Sequence, residues 1–193
     1  QVDDGAFGKA MEFDGNGDKV EITNLQGDYT NFTISHWFKS LQNGGVTFDN
    51  FVGDMNGIVW CLPSSSNLRC ECLTYGAPLT YNKNLLDDKW HNVILKYDGI
   101  TVYLYVDGVL RDSKLATHPV PETVINKNKF GIGYQPAGNP FYFKGQVDEI
   151  MIFNRSLSAE EIQALYANQS TKYLENFYSN LEEGKNHKYK IYA

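Results

Sequence analysis

The chain has no long apolar run, no cluster of positive charge and few cysteines, and each shortage removes a class of function. No stretch of the 193 residues approaches the ~20 apolar residues that a membrane-spanning helix needs. No basic segment followed by an apolar one opens the chain, so any secretory signal is expected to have been removed or to lie outside it. Lys and Arg form no run and the formal net charge is −6, which argues against nucleic acid, whose phosphates need a clustered positive field. Only three cysteines, Cys61, Cys70 and Cys72, and four histidines occur, without the CxxC or HxH grouping of a zinc site.

What is abundant is aromatic: 13 Tyr, 11 Phe and 3 Trp, a composition suited to strands. Most of the chain before residue 155 follows a period of two. β-rich runs stand at Lys9–Phe13, Lys19–Ile22, Phe32–Lys39, Gly57–Leu62, Leu68–Thr74, His91–Tyr97, Thr101–Val106, Phe130–Tyr134 and Tyr142–Phe153. Turn signals divide them at Asn43-Gly44-Gly45, Asp98-Gly99, Asp107-Gly108 and residues 136–140. Asp98-Gly99 lies between VILKY and TVYLYV and predicts a hairpin, because both residues tolerate positive φ. Many short strands with regular turns imply an all-β sandwich or barrel. GIVWCLPSSSNLRCECL reads as another hairpin, turning at Pro63–Ser66. It sets Cys61 opposite Cys70 or nearly so; a cross-strand disulfide and three buried thiols both fit.

A single helix is expected. SLSAEEIQALYANQ carries Ser158 and Glu161 in capping-box spacing, followed by Ile162, Leu165 and Tyr166 on one face. That pattern predicts a short structural helix lying on the sandwich. After Gln169 the apolar residues thin out, and the chain ends in HKYKIYA. We expect one domain over residues 1–169, with 170–193 a linker or the first strand of a following β-sandwich module.

Taken together, FGKAMEFDGNGDKVEI, FTISHWFKS, KWHNVILKYDGITVYLYVDGVL, FGIGY and FKGQVDEIMIFNRSLSAEEIQALY resemble the laminin-G-like domains of the concanavalin A-like superfamily. The resemblance spans roughly residues 5–167. It implies a two-sheet antiparallel jelly-roll sandwich with one short C-terminal helix. Function does not follow from it, since this fold hosts lectins, adhesion modules, glycanases and spacers.

The turn Asp14-Gly15-Asn16-Gly17-Asp18 poses a metal question. As an EF-hand loop it fails: Lys19 stands where Gly belongs and Leu25 where the closing Glu belongs. The resemblance implies a different site, a structural Ca2+ held between the N-terminal turn and Asp148 of the closing strand. Asp14, Asn16 and Asp18 would supply side chains or carbonyls to it. The alternative is a plain hairpin turn, with Asp148 capping a backbone N–H.

Catalysis is not expected. Glycanases of the superfamily carry Glu-x-Asp-x-x-Glu on one strand, where residues i and i+2 share a face. Here Glu71 stands alone, Asp148 and Glu149 are adjacent, and Asp87 and Asp88 lie in a turn. No Ser, His and Asp grouping forms a nucleophile elbow. For a sugar, stacking aromatics and polar neighbours are the expected contacts. Trp37 and Trp90 match positions that pack the sandwich. The candidates are therefore Trp60, Arg69, Tyr75 and Tyr81 in the middle hairpin, and Tyr134, Asn139 and Tyr142 in the later loop.

Three sequons, at Asn31, Asn154 and Asn168, lean toward an extracellular or cell-surface glycoprotein. The expectation is a non-catalytic recognition or adhesion module that binds glycan or glycoprotein, without membrane insertion, inside a larger multidomain surface protein. A polysaccharide hydrolase or lyase of the same fold and a spacer domain of an adhesin are the competing readings.

Overall fold

The computed structural model describes residues 1–22, 30–50, 59–72, 77–117, 130–135 and 141–170. Among them twelve strands form two antiparallel sheets. They are β1 (Met11–Asp14), β2 (Val20–Ile22), β3 (Phe32–Lys39), β4 (Phe48–Asn50), β5 (Val59–Pro63) and β6 (Leu68–Cys72), then β7 (Leu79–Tyr81), β8 (His91–Tyr97), β9 (Thr101–Val106), β10 (Val109–Leu115), β11 (Phe130–Ile132) and β12 (Lys144–Phe153). One sheet runs β1-β12-β3-β8-β9-β10 and the other β2-β11-β4-β5-β6-β7. The helix α1 spans Ala159–Ser170.

The expected sandwich is present. Phe13, Phe32, Ile34, Phe38, Phe48 and Phe130 fill the space between the sheets. In β3 both faces are buried, because Phe32, Ile34 and Phe38 meet this core while Trp37 turns outward to stack on Tyr166 of α1, ring centroids 5.7 Å apart. Helix α1 thus covers the outer face of the first sheet, with Ile162 and Leu157 against Ile94 and Tyr105. Its capping box forms as expected: the Glu161 amide donates to Ser158 Oγ, and the Ser158 amide donates to the Glu161 carboxylate.

Three strands escaped the sequence reading. β4 and β7 hold three residues each, too few for a period to show, and β10 is an edge strand whose sequence VLRDSKL is mostly exposed. The closing strand begins at Lys144 rather than Tyr142, because Phe143 leaves the ladder to donate its amide to the Gly133 carbonyl and bury its ring in the core. Gly133 has φ +77°, and a Cβ there would collide with the Phe13 ring. The Cys61–Cys70 disulfide closes between register partners of β5 and β6, and Cys72 remains a buried thiol.

Candidate functional site

The four residues assigned to calcium do not come together. Asp14 ends β1 opposite Lys144, four residues before Asp148 on β12, which separates the two backbone positions by about 13 Å along the strand. The Asp14–Asp18 turn closes on itself: the Asn16 amide donates to Asp14 Oδ1 at 2.7 Å, and the Asp14 amide to Asp18 Oδ2 at 3.0 Å. Asp148 is committed elsewhere. A bulge between Asp148 and Met151, with Glu149 at φ 48°, interrupts the pleat. The Asp148 carboxylate accepts the Phe7 amide at 2.9 Å and the Glu149 amide at 2.9 Å. Asp148 and the Asp14–Asp18 turn therefore lie at separate places on the β1–β12 edge. Among the described residues no group of three His, Cys, Asp or Glu converges as a metal site.

A groove of about 560 Å³ lies beside the Asp14–Asp18 turn, lined by Asp18, Lys39, Lys144 and Gln146. Among the described residues Phe13 is the one aromatic side chain on its wall, and it is buried, so they offer no platform for a sugar ring.

The outer face of the second sheet is different. Register pairs Glu21 with Gly131, Gly131 with Asp49, Asp49 with Trp60, and Trp60 with Glu71. Since Phe48, Cys61 and Cys70 point into the core, alternation turns this whole row outward. Arg69 extends the face one step along β6, with its guanidinium 6.0 Å from the Trp60 ring centre. Thr80 pairs with Arg69 and takes the matching position on β7. At the other end Tyr134 donates its hydroxyl to Glu21 and stacks on Tyr142, centroids 6.3 Å apart. Lys19 sits over the Tyr134 ring and pairs with Glu21 at 3.1 Å.

Of the residues chosen from sequence, Trp60, Arg69, Tyr134 and Tyr142 lie at this face, and Tyr75 and Asn139 fall outside the described residues. Tyr81 does not belong to it. It pairs with the core residue Leu68, packs against the core, and takes Arg111 over its ring at 4.6 Å. One residue of β7 shifts the choice: Thr80 points outward and Tyr81 does not. Asn154 and Asn168 are exposed and Asn31 is half-buried. The Thr33 hydroxyl of the first sequon is buried, accepting the Leu157 amide and donating to the Arg155 carbonyl.

Sequence reasoning missed Asp49. It is fully buried, and among the described residues neither carboxylate oxygen has a hydrogen-bond partner. Burial pushes its carboxyl up to about 7, while the nearby Gln135 side chain draws it partly back without reaching good hydrogen-bond geometry. The available signal was Phe48-Asp49 itself, where an inward aromatic forces the following carboxylate to the opposite face.

A family model described as the concanavalin A-like lectin/glucanases superfamily, of the laminin G group, matches residues 14–163. A BEACH domain-containing protein B of Arabidopsis thaliana is 26% identical over 121 residues; the match covers 53% of this chain, which spans 4% of that protein. Domain 4 of AbnA, an extracellular arabinanase from Geobacillus stearothermophilus solved with arabinotriose, superposes with TM-score 0.63 at 20% identity, over 84% of this chain and 79% of that one. The CBM40 of Ruminococcus gnavus IT-sialidase, bound to α2,3-sialyllactose, gives TM-score 0.64 at 16% identity, over 82% of this chain and 96% of that one.

Proposed function

The chain belongs to the concanavalin A-like lectin/glucanases superfamily, and from that premise we infer that it is a recognition module that binds carbohydrate on the outer face of its second sheet. The observation that carries this reading is the row from Glu21 to Glu71. It sets one half-buried indole, Trp60, between carboxylates, with Arg69 and Thr80 beside it. An indole offers an apolar plane to a sugar ring, and the flanking groups can hydrogen-bond its hydroxyls. Structural neighbours solved with arabinotriose and sialyllactose support this use of the fold. The sequons and the scarcity of cysteine outside one disulfide fit a secreted or surface glycoprotein that presents this module to a glycan or glycoprotein partner. A structural calcium ion at Asp148 is a separate proposal, and nothing in sugar binding at Trp60 requires it.

Trp60→Ala tests the reading. On an array of neutral and sialylated glycans the wild type is expected to bind and the variant to lose about two- to tenfold in affinity, because aromatic stacking is worth about 0.5–1.5 kcal/mol. An array that stays dark for the wild type, or a variant that binds undiminished, removes the reading.

One specific observation favours a second reading. Asp49 and Glu71 stand on one face two strands apart, about 9.5 Å between backbones, so two carboxylates of the kind a glycosidase acid and base require share this face. Release of reducing ends from arabinan or β-glucan, abolished by Glu71→Gln, would establish hydrolysis instead.

A further inference from the structure

Asp49 is the one carboxylate of the row whose oxygens are both buried and both without a partner. Leaving such a group unsatisfied costs free energy that a fold ordinarily avoids by placing a donor beside it. Its neighbours do not repair this. Gly131, its register partner on β11, has no side chain to offer. Trp60, its partner on β5, has an indole N–H as its sole donor. Tyr134 spends its hydroxyl on Glu21. The other ionisable groups that face it are Glu21 on β2, Glu71 and Arg69 on β6, and Tyr134; Arg69 lies over Trp60 and Glu21 is tied to Lys19. Two unpaired acceptors one strand from the Trp60 indole suit two adjacent hydroxyls of a ring stacked on it.

We propose that Asp49 is a ligand contact whose two carboxylate oxygens accept hydrogen bonds from a vicinal diol of a neutral saccharide, in place of the Gln135 side chain. The proposal rests on the carbohydrate reading above and names its substrate class. It also makes binding depend on pH. Free Asp49 holds its proton to about pH 7, because burial disfavours the charge. Two hydroxyl donors stabilise the carboxylate, so the bound protein releases that proton. Affinity therefore rises as pH rises from 5 to 8 and is level above. A protonated Asp49 acting as donor would give the opposite slope.

The test uses arabinotriose, xylotriose and lactose as probes, with calorimetry at pH 5 and pH 8 in two buffers of different ionisation heat. The expected result is that at least one probe binds about tenfold more tightly at pH 8, the difference expected when a neutral hydrogen bond becomes charge-assisted. Binding near pH 6 is expected to release a fraction of a proton. Asp49→Asn flattens the pH profile and weakens binding at pH 8, while raising the melting temperature at pH 8, since a buried charge has been removed. A probe that binds through Trp60 with a flat pH profile, and equally well to Asp49→Asn, overturns the proposal and leaves the carbohydrate reading standing. A probe bound more tightly at pH 5 also overturns it. Binding to none of the three overturns both.

Discussion

Two histidines titrate in opposite directions because of what surrounds each ring. His91 lies between carboxylates, with Nδ1 2.9 Å from Asp107 and Nε2 3.0 Å from Asp87. Burial alone would lower its pKa, but the two acidic partners outweigh it and the net shift is upward. His36 sits in the core against Phe48 with both ring nitrogens unpartnered, and burial lowers its pKa to about 3. A raised histidine stabilises fully below the unfolded value of about 6.5, and that contribution is lost as pH climbs through its folded value. A lowered one destabilises progressively as pH falls from about 6.5 toward its folded value. The Asp87 carboxyl, which burial alone would raise but which bonding to His91 and Lys89 together holds below its ordinary value, adds stability above about pH 4 that acid removes. In an Asp49→Asn background, which removes that carboxyl's own loss of stability between about pH 4 and 7, denaturant midpoints from pH 4 to 9 are expected to peak near pH 6. There His91→Gln removes the decline on the alkaline side, and His36→Leu flattens the acid side. A profile of that background that stays level from pH 6 to 9 would show that the Asp87-His91-Asp107 cluster contributes nothing. None of this was legible in the sequence. HNV and SHWF give two histidines on neighbouring strands, and only register shows that one meets carboxylates and the other phenyl rings.

At the scale of elements, the sequence was legible wherever a period ran long enough to register. β3, β8, β9 and β12 each span six residues or more, and all four were anticipated. The helix was readable because its cap and its apolar face agree. What could not be read were elements whose identity comes from a neighbour: β4 and β7 are strands because β5 and β6 offer them a ladder. The binding face inherits that limit. Trp60 and Arg69 were named from composition, but Asp49 and Thr80 required the pairing of short strands. Helix α1 gives the prediction proper to this scale. Ile162 is fully buried beneath it, so Ile162→Ala is expected to cost about 2–4 kcal/mol of unfolding free energy. Ser158→Ala, which removes the cap alone, is expected to cost about 1 kcal/mol. Chemical denaturation of the two variants measures both. Equal losses would mean that α1 is held by its own capping rather than by the sheet beneath it.

Across the whole molecule, the earliest residues are fastened to the closing strand. Val2 and Ala10 exchange both backbone hydrogen bonds, the Phe7 amide donates to Asp148, and Asp4 pairs with Lys39 at 2.8 Å. Gly5 lies so near Asp148 that a Cβ would stand 2.7 Å from its carboxylate. The bulge after Asp148 lies where that carboxylate meets the segment, and it accepts two backbone amides, those of Phe7 and Glu149. β1 and β12 pair along one edge of the first sheet, so this fastening ties residues 2–10 to β12, the last strand among the described residues. Asp148→Asn retains the shape and loses the charge that strengthens both bonds, an expected loss of about 1–3 kcal/mol. Hydrogen exchange should quicken first at Phe7 and Ala10 and leave β8 and β9 protected, since the segment can open without the core. Asp14→Asn and Asp18→Asn, which disturb only the turn about 13 Å away, are expected to leave those amides unchanged. Equal effects from all three substitutions would mean that the turn and the closing strand share one bound group after all.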